Sequence, residues 1–481
     1  MAKSILNLLE SKRYIFFLFI SASILLRIIS FFPSVLDHDE STYMIIGRDI
    51  LNGKELYKDV TDTKPIGIFL VYAGLEYLFG NTIFYKRLAF AILVGITAYL
   101  IFLVSTKILG NKKIAVASGL IYIIYTSIWT LHGLSPNTEL LFNLATVGAL
   151  LLFLKPTVTN YFLGGLTIGA GFIIKYLVLF DLAAFLLFFF IKDILQKPGI
   201  LRSPRFWFRY IIAVIGFLIP FGLVNLYFWM GDNFRDFYFI TYVLPANYGN
   251  NPSLTRYLTM MLDFTAKFLP ISFLVLYVIF KRDKPISAGN KLFFTIWIIF
   301  ILAAIYMPGK ELSHYTIQLM VPLSMIAGIF FHPGFIADKI STKIFYGKSG
   351  LISLIALVLI IKSVTYVNEI VKPDYPRQVA NFIKKEMKSG DKVFVSNYEQ
   401  IIYYLLEIDS PTKFVHSGIL FKKTSEAFNI DAGEEIKSII DNNPRFVIVE
   451  RKNKIVESLL EDKYIIIRTF RDGEIKLFKK V

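Results

Sequence analysis

The sequence predicts a polytopic α-helical membrane protein with a small α/β domain at its C-terminal end. Hydrophobic residues make up 55% of the 481 residues and charged residues only 18%, as in chains that lie largely in a bilayer. Long apolar runs recur up to residue 363, whereas short helical and strand patterns alternate after residue 371. We therefore expect a membrane domain at residues 1–368 and a soluble domain at residues 369–481.

The first apolar run covers residues 14–32 and follows Lys3, Lys12 and Arg13. It is too long for the core of a signal peptide, and no small-residue cleavage site follows it. We expect it to be retained as the first membrane span. Further apolar segments bring the total to about eleven spans. They are residues 83–105, 114–130, 139–154, 161–174, 177–191, 210–229, 264–280, 292–307, 315–331 and 351–363.

A loop at residues 33–82 separates the first two spans. It contains two amphipathic segments, residues 40–52 and 65–79, that are too short or too polar to cross a hydrocarbon layer of ~30 Å. We expect both to form helices that lie along the membrane interface.

The net charge of +16 is that of many nucleic-acid-binding proteins, but its distribution argues against such a partner. The excess lies in short loops between apolar segments, where it sets orientation and contacts anionic headgroups. With a cytoplasmic N-terminus and an odd number of spans, the loop at 33–82 and the C-terminal domain face outside the cytoplasm. The chain has no cysteine, which excludes disulfides and thiolate metal sites.

The C-terminal domain shows a regular alternation of predicted elements. Helices are expected at 375–387, 399–407, 425–440 and 454–460, and strands at 392–396, 413–416, 445–450, 464–470 and 475–479. The last two strands flank Asp472-Gly473, a hairpin turn signal. The alternation predicts a mostly parallel sheet. No glycine-rich phosphate loop is present, so the domain is not predicted to bind nucleotides.

Acidic residues follow directly after the first span. Asp37, Asp39 and Glu40 are consistent with helix capping at the start of the next helix, where acids favour the dipole. They are also consistent with a general base at the outer membrane face, because two acids two residues apart raise each other's pKa. Lys64, before Pro65, is either a snorkelling interface lysine or a ligand for a lipid phosphate.

Three further polar residues lie at the ends of apolar segments. Glu139 opens a span, and a glutamate facing lipid would cost several kcal/mol, so it should face a cavity or a partner. Lys175 lies between two apolar runs and either snorkels or lines a site. His314 begins a late span, and with His132 and the acids it could join a metal site, although the spacing fixes nothing.

The spacing of several residues after the first span matches a known pattern. They are Asp39-Glu40-x-x-Tyr43, Gly53, Tyr57 and Lys64-Pro65. This series resembles the first outer loop of the bacterial family 39/83 glycosyltransferases, which include lipid A aminoarabinose transferases and relatives of the protein O-mannosyltransferases. Later segments resemble further motifs of the family: Pro136-Asn137-Thr138-Glu139, Ile174-Lys175, and the stretch from Pro308-Gly309-Lys310 to His314-Tyr315.

The resemblance implies a GT-C fold in a multi-pass protein of the plasma membrane. It implies a polyprenyl-phosphate-linked sugar as donor and a lipid, glycan or protein as acceptor, with an inverting displacement on the outer face. Asp39 would be the base, with Asp37 and Glu139 as further catalytic acids. Lys64 would bind the donor phosphate. The other substrate-binding candidates are Glu40, Tyr43, Lys175, Lys310 and His314.

The sequence departs from the aminoarabinose transferases in three ways. Asp37-His38 adds an acid and an imidazole before the motif, Glu139 stands where an aspartate is common, and the C-terminal domain is short. The sugar and the acceptor therefore stay open. Some relatives use a divalent metal; Asp37, His38 and Asp39 could hold one, but nothing in the sequence requires it.

Other function classes fit the sequence less well. A flippase or transporter for lipid-linked sugars would need charges near the bilayer midplane, broken helices and often two repeated halves. A polysaccharide polymerase or ligase would have a large late loop rich in arginine and histidine. A membrane-anchored sensor would not need acids in the loops of the helical bundle, and a serine hydrolase would need a nucleophile elbow.

Overall fold

The computed structural model describes residues 11–128, 133–247, 253–280, 286–306, 313–332, 367, 370–421, 424–451 and 453–481. His132, Lys310 and the predicted span at 351–363 lie outside these residues. The helices of the first part are α1 Lys12–Arg27, α2 His38–Leu51, α3 Ile66–Phe79, α4 Ile83–Leu109, α5 Lys112–Thr126, α6 Thr138–Phe153, α7 Val158–Phe172, α8 Val178–Gln196, α9 Pro204–Met230, α10 Phe234–Tyr238, α11 Leu244–Asn247, α12 Leu254–Lys267, α13 Leu269–Phe280, α14 Ala288–Tyr306 and α15 Met320–Gly328.

The C-terminal part contains shorter elements. Its helices are α16 Tyr375–Glu386, α17 Ile401–Leu406, α18 Ser417–Phe421, α19 Thr424–Ala427, α20 Ala432–Asp441 and α21 Lys454–Leu460. Its strands are β1 Val393–Val395, β2 Phe446–Glu450, β3 Tyr464–Phe470 and β4 Ile475–Lys480.

Most of the described helices lie at the predicted apolar runs, but the single span predicted at 264–280 is interrupted at Phe268 and forms parts of two helices. By length and composition, four helical segments could cross a membrane: Lys12–Phe31, Ile83–Leu109, Pro204–Met230 and Ala288–Tyr306. The pair Thr255–Ala266 and Leu269–Phe280 is bent by 99° and would add a fifth. Shorter apolar helices, α3, α6 and α15 among them, fall below this length. The described residues thus show several apolar helices, and the total of about eleven spans stays a prediction.

The chain divides into two compact units. The helical unit comprises Met1–Phe31, Arg87–Val224 and Asn250–Ile370. The loop–tail unit comprises Phe32–Lys86, Asn225–Gly249 and Val371–Val481. The loop at 33–82, which was predicted to lie outside the membrane, therefore forms one compact unit with the C-terminal segment. The predicted division at residue 368 had assigned this loop to the membrane domain.

The helical unit has an apolar core with very close helix packing. A Cβ atom on Gly165 of α7 would lie 1.9 Å from the carbonyl oxygen of Ala213 on α9. Only glycine therefore allows this approach, as at many interfaces between membrane helices.

A buried carboxylate also ties this unit together. Asp181 of α8 accepts hydrogen bonds from Trp297 Nε1 at 2.6 Å, Gln318 Nε2 at 2.7 Å and Thr146 Oγ1 at 3.2 Å. Donors from three other segments thus satisfy an acid that would be costly to bury alone.

The sheet of the loop–tail unit has the order β1-β2-β4-β3. Strands β1 and β2 are parallel, but β4 pairs antiparallel with both β2 and β3. The prediction of a mostly parallel sheet was wrong. The reason is the hairpin turn at Asp472 and Gly473, both with positive φ, which returns β4 antiparallel to β3 and places it beside β2.

Two local predictions in the tail were also wrong. Residues 413–416 form no strand of the sheet; Phe414 makes an isolated bridge with Thr61 of the loop instead. The single helix predicted at 425–440 is two helices, α19 and α20. The break contains Asn429 at a φ of 54°, and Asp431 then caps α20 by accepting from the backbone nitrogen of Gly433 at 2.9 Å.

Candidate active site

Asp39 lies in the first turn of α2, and the residue before the helix caps it. The Asp37 carboxylate accepts a hydrogen bond from the Asp39 backbone nitrogen at 3.2 Å. Asp39 and Glu40 follow in the positive end of the helix dipole. The expectation of helix capping is therefore confirmed, and Asp37 is the residue that provides it.

The Asp39 carboxylate is held between two basic side chains. Lys64 Nζ lies 3.1 Å from Oδ2, and each of these two side chains is 19% exposed. The Tyr43 hydroxyl lies 3.4 Å from the same oxygen. On the other side, His416 Nε2 lies 3.7 Å from Oδ1. Sequence reasoning singled out Asp39, Lys64 and Tyr43 but missed both their direct pairing and His416.

Lys64 is placed by the fold of its own loop. Tyr57 adopts a φ of 71°, which turns the chain back, and its hydroxyl donates to the Lys64 carbonyl oxygen at 2.9 Å. The Tyr57 ring packs on Phe228 and Phe237, at centroid distances of 5.4 and 6.0 Å. Tyr57 therefore fixes the backbone of Lys64.

Two helices keep Asp39 and Lys64 together. Asp39 begins α2, and Lys64 stands just before α3. The two helices pack so closely that a Cβ atom on Gly47 would lie 2.8 Å from the backbone nitrogen of Ala73. This contact limits how far the acid and the lysine can separate.

The other predicted acids of the loop have different surroundings. Burial raises the pKa of Asp37 to about 7, and the negative charge of Asp39 adds to the shift. Glu40 is almost fully buried, with 1% of its surface exposed. Asp37 is thus a loop acid whose proton affinity is raised; burial is the main cause, and the acid two residues away, whose effect the sequence predicted, is the second.

The C-terminal tail docks on the start of α2 through polar contacts. Gln400 Nε2 donates to the His38 carbonyl oxygen at 2.8 Å and to Thr42 Oγ1 at 2.9 Å. His38 Nδ1 lies 3.2 Å from Glu399 Oε2. The Thr61 backbone nitrogen donates to the Lys413 carbonyl oxygen at 2.8 Å. These contacts bring His416 to Asp39.

One sequence signal pointed to His416. It is the single histidine after residue 371. A lone histidine predicts no contact across more than 370 residues of chain, so the pairing could only come from the tertiary structure.

The helical unit contains a second acid–lysine pair. Glu139 lies in the first turn of α6, fully buried, and Lys175 Nζ forms an ion pair with its Oε1. Thr138 Oγ1 donates to Glu139 Oε2 at 2.9 Å. Lys175 Nζ also lies 4.0 Å from the centroid of the Tyr315 ring. The sequence predicted that Glu139 would face a partner, and this expectation is confirmed.

His314 belongs to the same neighbourhood. Its ring packs edge-on against Tyr315 at 4.9 Å, and it interacts electrostatically with Glu139. The structure thus gathers Glu139, Lys175 and His314 in the helical unit. Lys310 lies outside the described residues. Within the residues that the structure describes, no group of three or more histidine, aspartate or glutamate side chains is arranged to hold a metal ion.

Part of the sequence matches a known protein family and a curated relative. Residues 63–221 match a family model described as dolichyl-phosphate-mannose-protein mannosyltransferase. This region contains Lys64, Glu139 and Lys175. A curated relative, undecaprenyl phosphate-alpha-4-amino-4-deoxy-L-arabinose arabinosyl transferase 1 of Pseudomonas fluorescens, is 24% identical over 327 residues. That match covers 64% of this chain and 57% of the relative.

Solved structures with the same fold cover nearly the whole chain. The crystal structure of ArnT from Cupriavidus metallidurans bound to undecaprenyl phosphate is 14% identical, with a TM-score of 0.64 over 96% of this chain and 97% of that one. The resemblance to GT-C glycosyltransferases of the family 39/83 type is confirmed. An oligosaccharyltransferase structure from Archaeoglobus fulgidus is 12% identical, with a TM-score of 0.52 over 98% of this chain and 74% of that one.

The GT-C likeness covers both units. Because the match with ArnT spans 96% of this chain, it includes the tail as well as the apolar helices. The chain has the GT-C fold, and four helical segments among the described residues are long and apolar enough to cross a membrane.

Proposed function

We propose that this protein is a membrane glycosyltransferase that moves a sugar from a polyprenyl-phosphate-linked donor to an acceptor hydroxyl on the outer face of the membrane. The observation that carries the proposal is the partly exposed pair of Asp39 and Lys64, 3.1 Å apart. One side chain can accept a proton and the other can bind a phosphate. The names of the matched family and relative, which mention dolichyl phosphate and undecaprenyl phosphate, support this donor class.

The proposed reaction is a single displacement. The acceptor hydroxyl donates a hydrogen bond to Asp39 and attacks the anomeric carbon from the face opposite the phosphate, so the anomeric configuration inverts. Lys64 stabilises the negative charge that grows on the departing lipid phosphate, an electrostatic effect that often dominates catalysis. The ion pair keeps Lys64 at the position where it meets the incoming donor.

The pair of Glu139 and Lys175 has a second role in this proposal. Glu139 is the further acid near the sugar or acceptor, and Lys175 holds its carboxylate ionised and oriented. The Tyr315 ring lies 4.0 Å from the lysine Nζ and makes a cation–π contact with it. His314 completes the polar lining of this group.

The same buried pair favours an alternative function. Ionisable residues within membrane helices often mark transport pathways. A flippase for lipid-linked sugars would use Glu139 and Lys175 without breaking the sugar–phosphate bond. The alternative predicts that sugar crosses a membrane without release of polyprenyl phosphate.

The test is turnover of a panel of polyprenyl-phosphate sugars by the purified full-length protein in detergent with candidate acceptors. We expect polyprenyl phosphate to appear with the wild type and turnover to fall about 100-fold or more in Asp39→Asn, the loss expected for a general base. Asp59→Asn is the matched control, because Asp59 is an exposed acid of the same loop whose carboxylate accepts from the Glu55 backbone nitrogen at 2.9 Å.

Three results would decide between the proposals. Loss of turnover in Asp39→Asn alone supports the transferase and the role of Asp39. Equal turnover in both variants keeps the reaction class but places the base elsewhere, with Asp37 and Glu139 next. Transfer of lipid-linked sugar across liposomes, with no donor consumed, would replace the transferase with the flippase.

A further inference from the structure

We propose that His416, supplied by the C-terminal tail, positions the Asp39 carboxylate by donating a hydrogen bond to it. This inference rests on the proposed transferase function, in which Asp39 is the base. The tail would then be part of the catalytic centre and not only a soluble attachment.

The tautomer of His416 follows from its backbone contact. The Gly418 backbone N–H donates to His416 Nδ1 at 3.0 Å, so Nδ1 must be the unprotonated, accepting nitrogen. In the neutral ring the proton then resides on Nε2. That nitrogen faces Asp39 Oδ1 at 3.7 Å. A donor hydrogen therefore lies between the two side chains.

The distance is longer than a formed hydrogen bond, which joins heavy atoms at about 2.7–3.2 Å. Catalytic hydrogen bonds are often long in the free enzyme and shorten when substrate is bound. Here Lys64 holds the other carboxylate oxygen at 3.1 Å. When Lys64 turns to the donor phosphate, His416 remains beside Oδ1 and the Tyr43 hydroxyl beside Oδ2, so the histidine continues to orient the carboxylate.

The charge state of His416 suits this role. Burial lowers the pKa of the imidazole below its ordinary value, against the opposing charges of Asp62 and Asp39. Lys64 and His38 lower it further. The ring is therefore neutral at pH 7, and it can donate to the carboxylate without transferring a proton to it.

Contacts on both sides of the histidine place it. Before it, the Lys413 carbonyl accepts from the Thr61 backbone nitrogen, which joins the tail to the loop. After it, the Ser417 hydroxyl lies 3.4 Å from Gln400 Oε1, and Gln400 holds the start of α2. The histidine is thus fixed to the helix that carries Asp39.

The experiment compares His416→Ala and His416→Gln in the full-length protein, with kcat/KM for a consumed polyprenyl-phosphate sugar measured against pH. The glutamine amide can replace Nε2–H as a donor, whereas alanine cannot. Arg445→Gln is the control, because it removes a 2.8 Å contact with Asp391 inside the tail. Thermal unfolding of each variant reports structural damage.

For His416→Ala we expect a loss of about 10- to 100-fold at pH 7, the effect of removing a hydrogen bond to a charged group. The acidic limb of the profile, where the base becomes protonated, should move up by about one pH unit, because the ionised carboxylate loses a stabilising donor. His416→Gln should restore most of the activity and the position of the limb.

Other results would overturn the inference. If His416→Ala lowers activity equally at all pH values, or behaves as Arg445→Gln does, the histidine only stabilises the tail. If the wild type consumes no donor, the proposed function fails, and the positioning role fails with it. If the wild type turns over but the acidic limb is unmoved in His416→Ala, only the positioning role fails and the proposed function stands.

Discussion

The two acid–lysine pairs of this protein have similar chemistry but different surroundings. Asp39 and Lys64 lie in a loop, with each side chain 19% exposed and the charged atoms 3.1 Å apart. Glu139 lies at the start of an apolar helix and Lys175 between two others, with the glutamate side chain fully buried and the lysine side chain 9% exposed. An aromatic ring accompanies each lysine, Tyr43 at 5.9 Å and Tyr315 at 4.0 Å.

Because the two pairs differ in burial, they are suited to different roles. A partly exposed pair costs little to form and can exchange its partner for a substrate. A fully buried pair is costly to break, because removing one member leaves an uncompensated charge in an apolar environment. The loop pair is therefore suited to chemistry, and the helical pair to holding a carboxylate in a fixed state.

The largest expected effect is on the stability of the helical pair. Glu139→Gln leaves the Lys175 ammonium without its buried counter-charge, so we expect a loss of about 3–5 kcal/mol in the free energy of unfolding. Thermal and denaturant unfolding in detergent would measure it. A loss below about 1 kcal/mol would contradict the buried ion pair.

The double variant Glu139→Gln with Lys175→Met sharpens this test. It removes both charges, so most of the lost stability should return. If activity returns with stability, Glu139 has a structural role. If stability returns but turnover stays low, the glutamate takes part in the reaction as proposed.

The next largest effect concerns the loop pair. Lys64→Met removes the cation that we assign to the donor phosphate, and we expect kcat to fall by about 10²–10³-fold. Because Lys64 keeps 19% of its side chain exposed, the unfolding free energy should fall by less than it does in Glu139→Gln. Lys64→Arg keeps the charge and is the control. An equal loss of activity in both variants would indicate a geometric role instead.

The smallest expected effect is on the pH dependence of stability, through Asp37. Its pKa is raised from 3.8 to about 7 in the folded protein, mainly by burial, so the folded state binds this proton more tightly than the unfolded chain does. This group's contribution to stability is therefore largest at low pH and falls between about pH 4 and pH 7. Asn caps a helix as well as Asp but does not ionise.

Asp37→Asn should accordingly gain stability relative to the wild type as the pH rises from 5 to 8, by about 2–3 kcal/mol, because each pH unit below the folded pKa changes the difference by about 1.4 kcal/mol. Unfolding curves for both proteins at several pH values would measure the difference. A constant difference across this range would show that Asp37 does not titrate in the folded protein. Asp59→Asn, at an exposed acid of the same loop, is the comparison.

Part of the candidate site could be predicted from local sequence. The position of Asp39 in the first turn of a helix follows from Asp37 as cap and from the apolar period after it. The burial of Glu139 against a partner follows from its place at the start of an apolar run. Both depend on neighbouring residues, which the sequence displays directly.

Other parts depended on contacts between distant segments. Residues 413–416 have a strand-like composition, but Phe414 bridges Thr61 instead of joining the sheet. The antiparallel position of β4 beside β2 was likewise invisible in an alternation of helices and strands. A sequence pattern indicates whether a segment is a helix or a strand, but not which other segment it packs against.

The sequence by itself determined the helical segments, the apolar character of the chain and the residues that could take part in a reaction. Only the tertiary structure decided which acid pairs with which lysine, and that the tail brings His416 to Asp39. The physical reason is the range of the interactions. Apolar periodicity and helix caps act over a few residues, whereas an ion pair forms wherever folding brings two charges within a few ångströms.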